Sequence, residues 1–395
     1  MSPASVAACA TAAPASSRLA SIDLLRGTVM ALMLLDHVRE TFYAHHPIGD
    51  PLDVATTAPA LFVARALAHL CAPIFVFLTG LSAWLYAARQ PHGRTAAAAF
   101  LLKRGLFLIV LELTLVNVAW TFAFPPQLLY LQVIWAIGLS MLALAALLWL
   151  PRPLLALLGM ALVAGHNLLD GVHVHGDGPL ATAWAVLHDR SWLQLGELRV
   201  RTSYPLLPWI GVIALGYAAG PWYGAGTAPA QRQQRQQRWL ACGLGALALF
   251  HLLRWHNGYG DAPWRDQADV AHTAMSFFNL TKYPPSLLFL LLTLGVGLLL
   301  LRLYEQPRLA RVLAPLAVIG AAPMFFYLLH LYALKLLYLA ALAYWGANHG
   351  ALFGVDSVAA LWAIAAVLGV ALYWPVAAFA RLKAGRRDLA WLRYL

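Results

Sequence analysis

Long apolar runs recur ten times along this chain, at roughly residues 19–38, 61–88, 105–123, 129–150, 153–169, 205–223, 239–255, 286–303, 321–345 and 357–380. A helix needs about 20 such residues to cross the hydrocarbon core of a bilayer. Backbone N–H and C=O groups in lipid must bond within their own element, so the runs are predicted to be helices rather than open strands. Composition agrees, with 62% of residues hydrophobic and 11% charged, about half the charged share of a soluble domain. A soluble fold would leave too much Leu, Ala, Trp and Phe on its surface. The expected fold class is all-α, a polytopic membrane helix bundle of about ten transmembrane helices, with the lipid bilayer as its first partner.

The net charge of +11 suggests nucleic acid until its distribution is read. With the N-terminus placed in the cytoplasm, the inner segments and the boundary residue Arg302 carry 17 basic residues against two acids, Glu305 and Asp388. The outer segments carry seven basic residues and twelve acids. This follows the positive-inside rule, predicts both termini inside, and removes nucleic acid as a partner. Histidine is sorted too: of 14, only His92 falls in an inner loop. Longer outer loops explain that sorting in one reading; proton-transfer chemistry on the outer face explains it in the other.

Three cysteines, Cys9, Cys71 and Cys242, show no CxxC or Cys/His spacing, so neither disulfide framework nor zinc site is expected. Residues 1–17 lack the basic start and apolar run of a signal peptide. They are expected to be a flexible cytoplasmic tail, followed by one transmembrane domain over 18–380 and a basic cytoplasmic tail over 381–395. The run QRQQRQQR (231–238) reads as a solvated inner loop whose arginines sit near anionic lipid heads.

The densest polar stretch is RLASIDLLRGTVMALMLLDHVRETFYAHHPIGDP, residues 18–51. Asp23 and Arg26 are three apart, and at 100° per residue His37 falls about 20° from Arg26's face, so the three form one stripe. Such a stripe on a spanning helix should face the bundle or a water-filled cavity; interhelical adhesion is the plainer use of it. Asp36-His37-Val38-Arg39-Glu40 and then His45-His46 crowd the outer end. A carboxylate beside an imidazole suits a general base, although an interfacial polar cluster has the same composition. In the second span Arg65 and His69 are four apart and share a face, Pro73 should bend the helix, and Gly80 and Ser82 permit close packing.

These residues resemble a known family. IDLLRGTVMALMLLDHVR, APIFVFLTGLSAWLY, YPLLPWIGVIALGYAAG (204–220), KYPPSLLFLLLTLG (282–295) and MFFYLLHLY (324–332) occur in this order. The chain is similar to the bacterial branch of the heparan-alpha-glucosaminide N-acetyltransferase catalytic-domain family, within the wider transmembrane acyltransferases. The resemblance implies an enzyme that takes an acetyl or other acyl group from cytosolic acetyl-CoA and delivers it to an amine or hydroxyl of a glycan acceptor across the membrane. It implies a bacterial inner-membrane location and no metal. Eukaryotic members use a histidine shortly before the second span, which resembles His46, with His45 beside it. Where they carry an asparagine near the end of the first span, His37 stands here, so which histidine is the base stays open. Their glycine-rich stretch after that position is replaced by VRETFYA, which makes heparan itself an unsuited acceptor. The catalytic candidates are therefore His37, His46, Asp36 and His45. The substrate- and cofactor-binding candidates are Arg26, Arg39, Arg65, His69, His330 and Lys335.

Further polar residues lie within or between the spans. Glu112 in the third span and Lys335 in the ninth could pair, or Lys335 could face CoA phosphates. His173-Val-His175, flanked by Asp170 and Asp177, has a metal-like spacing but no clear third ligand. Trp192 and Trp264 fall at predicted boundaries, where belts form; sugar stacking is the alternative. Two rivals to the enzyme exist: a transporter, which would favour broken helices in related halves, and a non-enzymatic scaffold. A homodimer is compatible with the sequence.

Overall fold

The computed structural model describes residues 20–224, 229–386 and 388–394. The expected tail over 1–17 lies outside them. Sixteen α-helices follow in chain order: α1 (Ala20–Phe42), α2 (Pro59–Ala68), α3 (Cys71–Ala87), α4 (Gly93–Leu111), α5 (Asn117–Thr121), α6 (Val133–Leu147), α7 (Arg152–Gly165) and α8 (Pro179–Leu187). Then come α9 (Leu207–Ala219), α10 (Pro229–His256), α11 (Val270–Phe278), α12 (Leu287–Leu303), α13 (Pro307–Val312), α14 (Ala314–Ala321), α15 (Pro323–Trp345) and α16 (Val358–Gly385). One small sheet joins β1 (Leu128–Leu131), β2 (Trp192–Leu195) and β3 (Leu198–Thr202), with β3 central, parallel to β1 and antiparallel to β2.

The protein is a helical membrane protein. Among the described residues, four helical segments are long and apolar enough to cross a bilayer: Pro59–Ala87, Arg152–Leu169, Pro323–Trp345 and Val358–Gly385. The other expected spans are helices that are shorter or carry charge. The first, α1, holds Asp23, Arg26, Asp36, Arg39 and Glu40. It is nevertheless largely enclosed, packed against α14, α15, α16, α2 and α3. Asp23, Asp36 and Arg39 are buried there and so face protein rather than lipid.

Several boundaries differ from expectation for local reasons. The second span breaks at His69–Leu70 and restarts at Cys71. Pro73 has no N–H for the carbonyl one turn back, so the break falls there. The third begins earlier, at Gly93, and passes through a π-helical turn, Glu112–Val116. The fourth opens as a strand over Leu128–Leu131 before the helix starts at Val133. Asn117 fixes that strand, donating to the Leu128 carbonyl at 2.9 Å and accepting from the Tyr130 N–H at 3.2 Å. The expected inner loop QRQQRQQR is helical, because α10 starts at Pro229. Gln and Arg are good helix formers, and Glu305 holds this turn by accepting Arg235 Nε at 2.8 Å and Arg235 Nη2 at 3.0 Å. Likewise α16 continues to Gly385, so the basic tail begins as helix.

The tightest helix contact is at glycine. A Cβ on Gly27 would collide with the Leu316 carbonyl, and one on Gly320 with the Asp23 carbonyl. The backbones of α1 and α14 therefore touch, as small residues allow in membrane bundles. This contact fixes the rotation of α1 and hence the direction its polar stripe faces.

Candidate active site

One end of the bundle gathers Arg26, Arg104 and Lys383; the other gathers the histidine-bearing loops. Near the histidine end, α1 turns Asp36 toward the broken second span. Arg39 Nε donates to Asp36 Oδ1 at 2.9 Å, and Arg65 Nη1 donates to Asp36 Oδ2 at 2.8 Å. Lys282 Nζ lies 3.9 Å from the same Oδ2. All four groups are buried. Arg39 Nη2 also reaches Glu40 Oε1 at 3.1 Å. Asp50, in the loop after α1, accepts the Lys282 backbone N–H at 3.2 Å. Burial pushes the Asp50 carboxyl above its usual range, against the pull of Arg65 and Lys282.

Asp36 and His37 are adjacent but diverge. The Asp36 oxygens are taken by arginines, and no hydrogen bond joins them to His37 among the described residues. His37 instead meets His330 of α15: His37 Nδ1 and His330 Nε2 are 2.7 Å apart, with the rings stacked at 5.0 Å. His330 is fully buried. Its Nδ1 lies 2.8 Å from the Phe326 carbonyl. A carbonyl oxygen only accepts, so His330 Nδ1 carries the proton and, in the neutral ring, Nε2 offers a lone pair. His37 Nδ1–H must then donate to it, which leaves His37 Nε2 unprotonated. The chain Phe326 carbonyl, His330, His37 fixes a tautomer much as a carboxylate does in a catalytic triad.

Two cavities approach this pair from opposite ends. The first, about 180 Å³, is lined by Arg26, Ser82, Arg104, Lys383 and several methionines, and reaches Tyr327. The second, about 230 Å³, is lined by Glu40, Lys335 and Tyr338, and reaches Trp120. The His37 ring lies edge-on to both end residues, 6.1 Å from Tyr327 and 5.2 Å from Trp120. Arg26 donates to Asp23 Oδ1 at 3.2 Å and to Ser82 Oγ, so its head is held at the first cavity's wall.

The remaining candidates scatter. His45 stacks on His349 with centroids 3.6 Å apart; burial and that neighbour lower its proton affinity. His46 is exposed and stacks on Tyr43 at 4.5 Å. Neither makes a hydrogen bond to His37 among the described residues. His69 is buried against Phe289 beside the helix break. Lys335 lines the second cavity, its Nζ 5.5 Å from the Phe122 ring centre. It does not pair with Glu112, correcting that expectation. Glu112 is buried, and its Oε2 accepts the Trp135 N–H at 3.0 Å at the positive end of α6, while its Oε1 has no hydrogen-bond partner among the described residues. Trp192 is engaged by Arg199 and Arg201 at 4.7 and 5.0 Å, and Trp264 Nε1 donates to the Arg254 carbonyl. Both rings thus have protein partners.

Sequence reasoning did not single out Tyr327, Trp120, Arg104, Lys383 or Lys282. Trp120 and Tyr327 resemble ordinary span residues, and Lys282 reads as one more outer-loop cation. Arg104 and Lys383 were visible only as part of the charge asymmetry.

A half-buried histidine hydrogen-bonded to a fully buried one, in ring contact with residues that line two cavities, can hold and move a proton inside a helical membrane bundle. The sequence profile described as heparan-alpha-glucosaminide N-acetyltransferase, catalytic, matches residues 18–254. The match spans more than half of the chain, and the chain belongs to that family. It includes Asp36, His37, Arg65 and His69, whereas His330 and Lys335 lie beyond it. Comparison with curated proteins gives no match.

Proposed function

We propose that this protein is a ten-span inner-membrane acetyltransferase of the bacterial type, with both termini cytoplasmic. It moves an acetyl group from cytosolic acetyl-CoA to a sugar amine or hydroxyl on the far side. The observation that carries the reading is the His37–His330 dyad standing between two cavities, one bordered by cations. Acyl-CoA enters the first cavity with its phosphates toward Arg26, Arg104 and Lys383 and its thioester toward Tyr327. The acceptor enters the second, past Glu40 and Lys335.

His37 Nε2 takes the proton from the acceptor O–H or N–H as that atom attacks the thioester carbonyl. The carbon–sulfur bond breaks, and the CoA thiolate recovers the proton from His37. His330 accepts the His37 Nδ1–H throughout, which stabilises the transient imidazolium. Incubating purified protein with radiolabelled acetyl-CoA and a panel of envelope glycans tests the reading. Label should pass to a glycan; uptake of glycan into proteoliposomes without label transfer would instead support a transporter.

Two results are expected beside it. Arg104→Ala and Lys383→Ala should each raise KM for acetyl-CoA roughly 10- to 100-fold with a smaller change in kcat, because a charged hydrogen bond is worth about 1.5–3 kcal/mol. A KM unchanged in both variants would place the CoA phosphates elsewhere. Reporter fusions after residue 200 should read outside and those after residue 235 inside, as the basic asymmetry requires. A fusion after 235 reading outside would break the ten-span arrangement.

A further inference from the structure

A second polar cluster lies at the histidine-rich end, apart from the dyad, and the acetyl-transfer chemistry makes no use of it. His166 caps the C-terminus of α7, Asp170 lies in the turn that follows, and His188 caps the C-terminus of α8. One ligand atom from each falls within 4.8 Å of the others. Both histidines are almost wholly buried, at 2% and 1% exposure, while Asp170 opens to solvent. Neither ring nitrogen of His166 has a hydrogen-bond partner of good geometry; the Pro285 carbonyl and the His188 ring, 6.0 Å away centre to centre, face it. His188 Nδ1 is likewise unpartnered. The His166 ring thus has two orphaned nitrogens beside a second buried imidazole, whose Nε2 faces both the Asp170 carboxylate and the His166 carbonyl.

We propose that His166, His188 and Asp170 bind a divalent transition metal, with zinc as the best fit. Zinc takes imidazole nitrogen at about 2.0–2.1 Å and carboxylate oxygen at about 2.0–2.2 Å, which puts tetrahedral ligand atoms about 3.3–3.6 Å apart. His188 Nε2 and Asp170 Oδ1 are 3.5 Å apart. His188 Nε2 also lies 2.9 Å from the His166 carbonyl, which can serve as fourth ligand or yield to water. Metal on Nε2 displaces that proton and moves the N–H to Nδ1. Asp189 Oδ1 stands 3.8 Å from Nδ1, placed as the carboxylate that commonly receives the second N–H of a metal-bound histidine. Asp189 is itself held by His173 Nδ1 at 3.3 Å. Of the HxH pair that drew attention in the sequence, His173 thus supports the site from outside it. The metal would join α7 to α8 and so brace the elements leading into the sheet.

The test is metal content and titration of the purified full chain. About one zinc per chain should be retained, and Co2+ substitution should give the visible absorption of a tetrahedral site. Asp170→Asn, an exposed near-isosteric change, should weaken binding at least about 10-fold. Asp189→Asn should weaken it about 10- to 100-fold, the usual effect of losing a ligand's supporting carboxylate. His166→Ala with His188→Ala should abolish it, while His175→Ala should leave it intact. No stoichiometric zinc, or zinc bound equally well by Asp170→Asn and the double histidine variant, would overturn the proposal.

Discussion

His37→Ala is expected to lower acetyl transfer by about 100- to 10,000-fold, the usual cost of removing a general base. The protein should still insert and elute as a folded species. His37 is half-buried and in ring contact with Tyr327 and Trp120, each of which lines a cavity, so its removal leaves space that water can enter. Added imidazole should restore part of the rate, since the vacated site adjoins the His330 acceptor. His330→Ala should also lose rate, and its pH profile should shift, because the remaining His37 would no longer be held in one tautomer. His46→Ala is the control that separates the two histidines left open by the resemblance. His46 is exposed against Tyr43, and its loss should cost less than 10-fold if His37 carries the chemistry. Transfer that survives in His37→Ala but fails in His46→Ala would move the base into the loop after α1.

What was legible in the sequence was periodicity and charge. The alignment of Asp23, Arg26 and His37 on one face follows from 100° per residue, and the structure seats Arg26 at a cavity wall and His37 against another helix. The Pro73 bend was likewise local, since a missing N–H acts on the turn that contains it. Boundaries failed where tertiary partners decided them. QRQQRQQR is helical because Glu305, some 70 residues away, receives its arginines. Leu128–Leu131 is a strand because Arg199–Thr202 lies beside it. The site failed in the same way. His37 and His330 are 293 positions apart, and no spacing rule joins them. Asp36 next to His37 suggested a carboxylate–imidazole couple, whereas helix geometry turns consecutive residues about 100° apart and sends each to a different neighbour.

That divergence gives Asp36 a different task, and the second large effect follows from it. Its carboxylate is enclosed by Arg39 at 2.9 Å, Arg65 at 2.8 Å and Lys282 at 3.9 Å, all buried. Three cations drawn from α1, α2 and the loop before α12 converge on one anion. Removing one partner of a buried pair costs about 3–5 kcal/mol, because the other charge is left unpaired in a poor solvent. Asp36→Ala should therefore cut the yield of folded protein sharply and lower its Tm in detergent. Asp36→Asn, which keeps the shape but not the charge, should fall between. Arg65→Ala strands the carboxylate instead, with Arg39 still present, and should cost less than Asp36→Ala. The double variant Asp36→Ala/Arg65→Ala should lose less than the sum of the two singles, since groups in contact are coupled. The readouts separate stability from chemistry. If Asp36→Asn folds with an unchanged Tm yet loses acetyl transfer, the carboxylate acts on His37 or the substrate and the ion cluster is not its main role. If Tm falls while the folded fraction keeps most of its turnover, Asp36 is the anion that holds the broken second span against α1, and so keeps His37 between Tyr327 and Trp120.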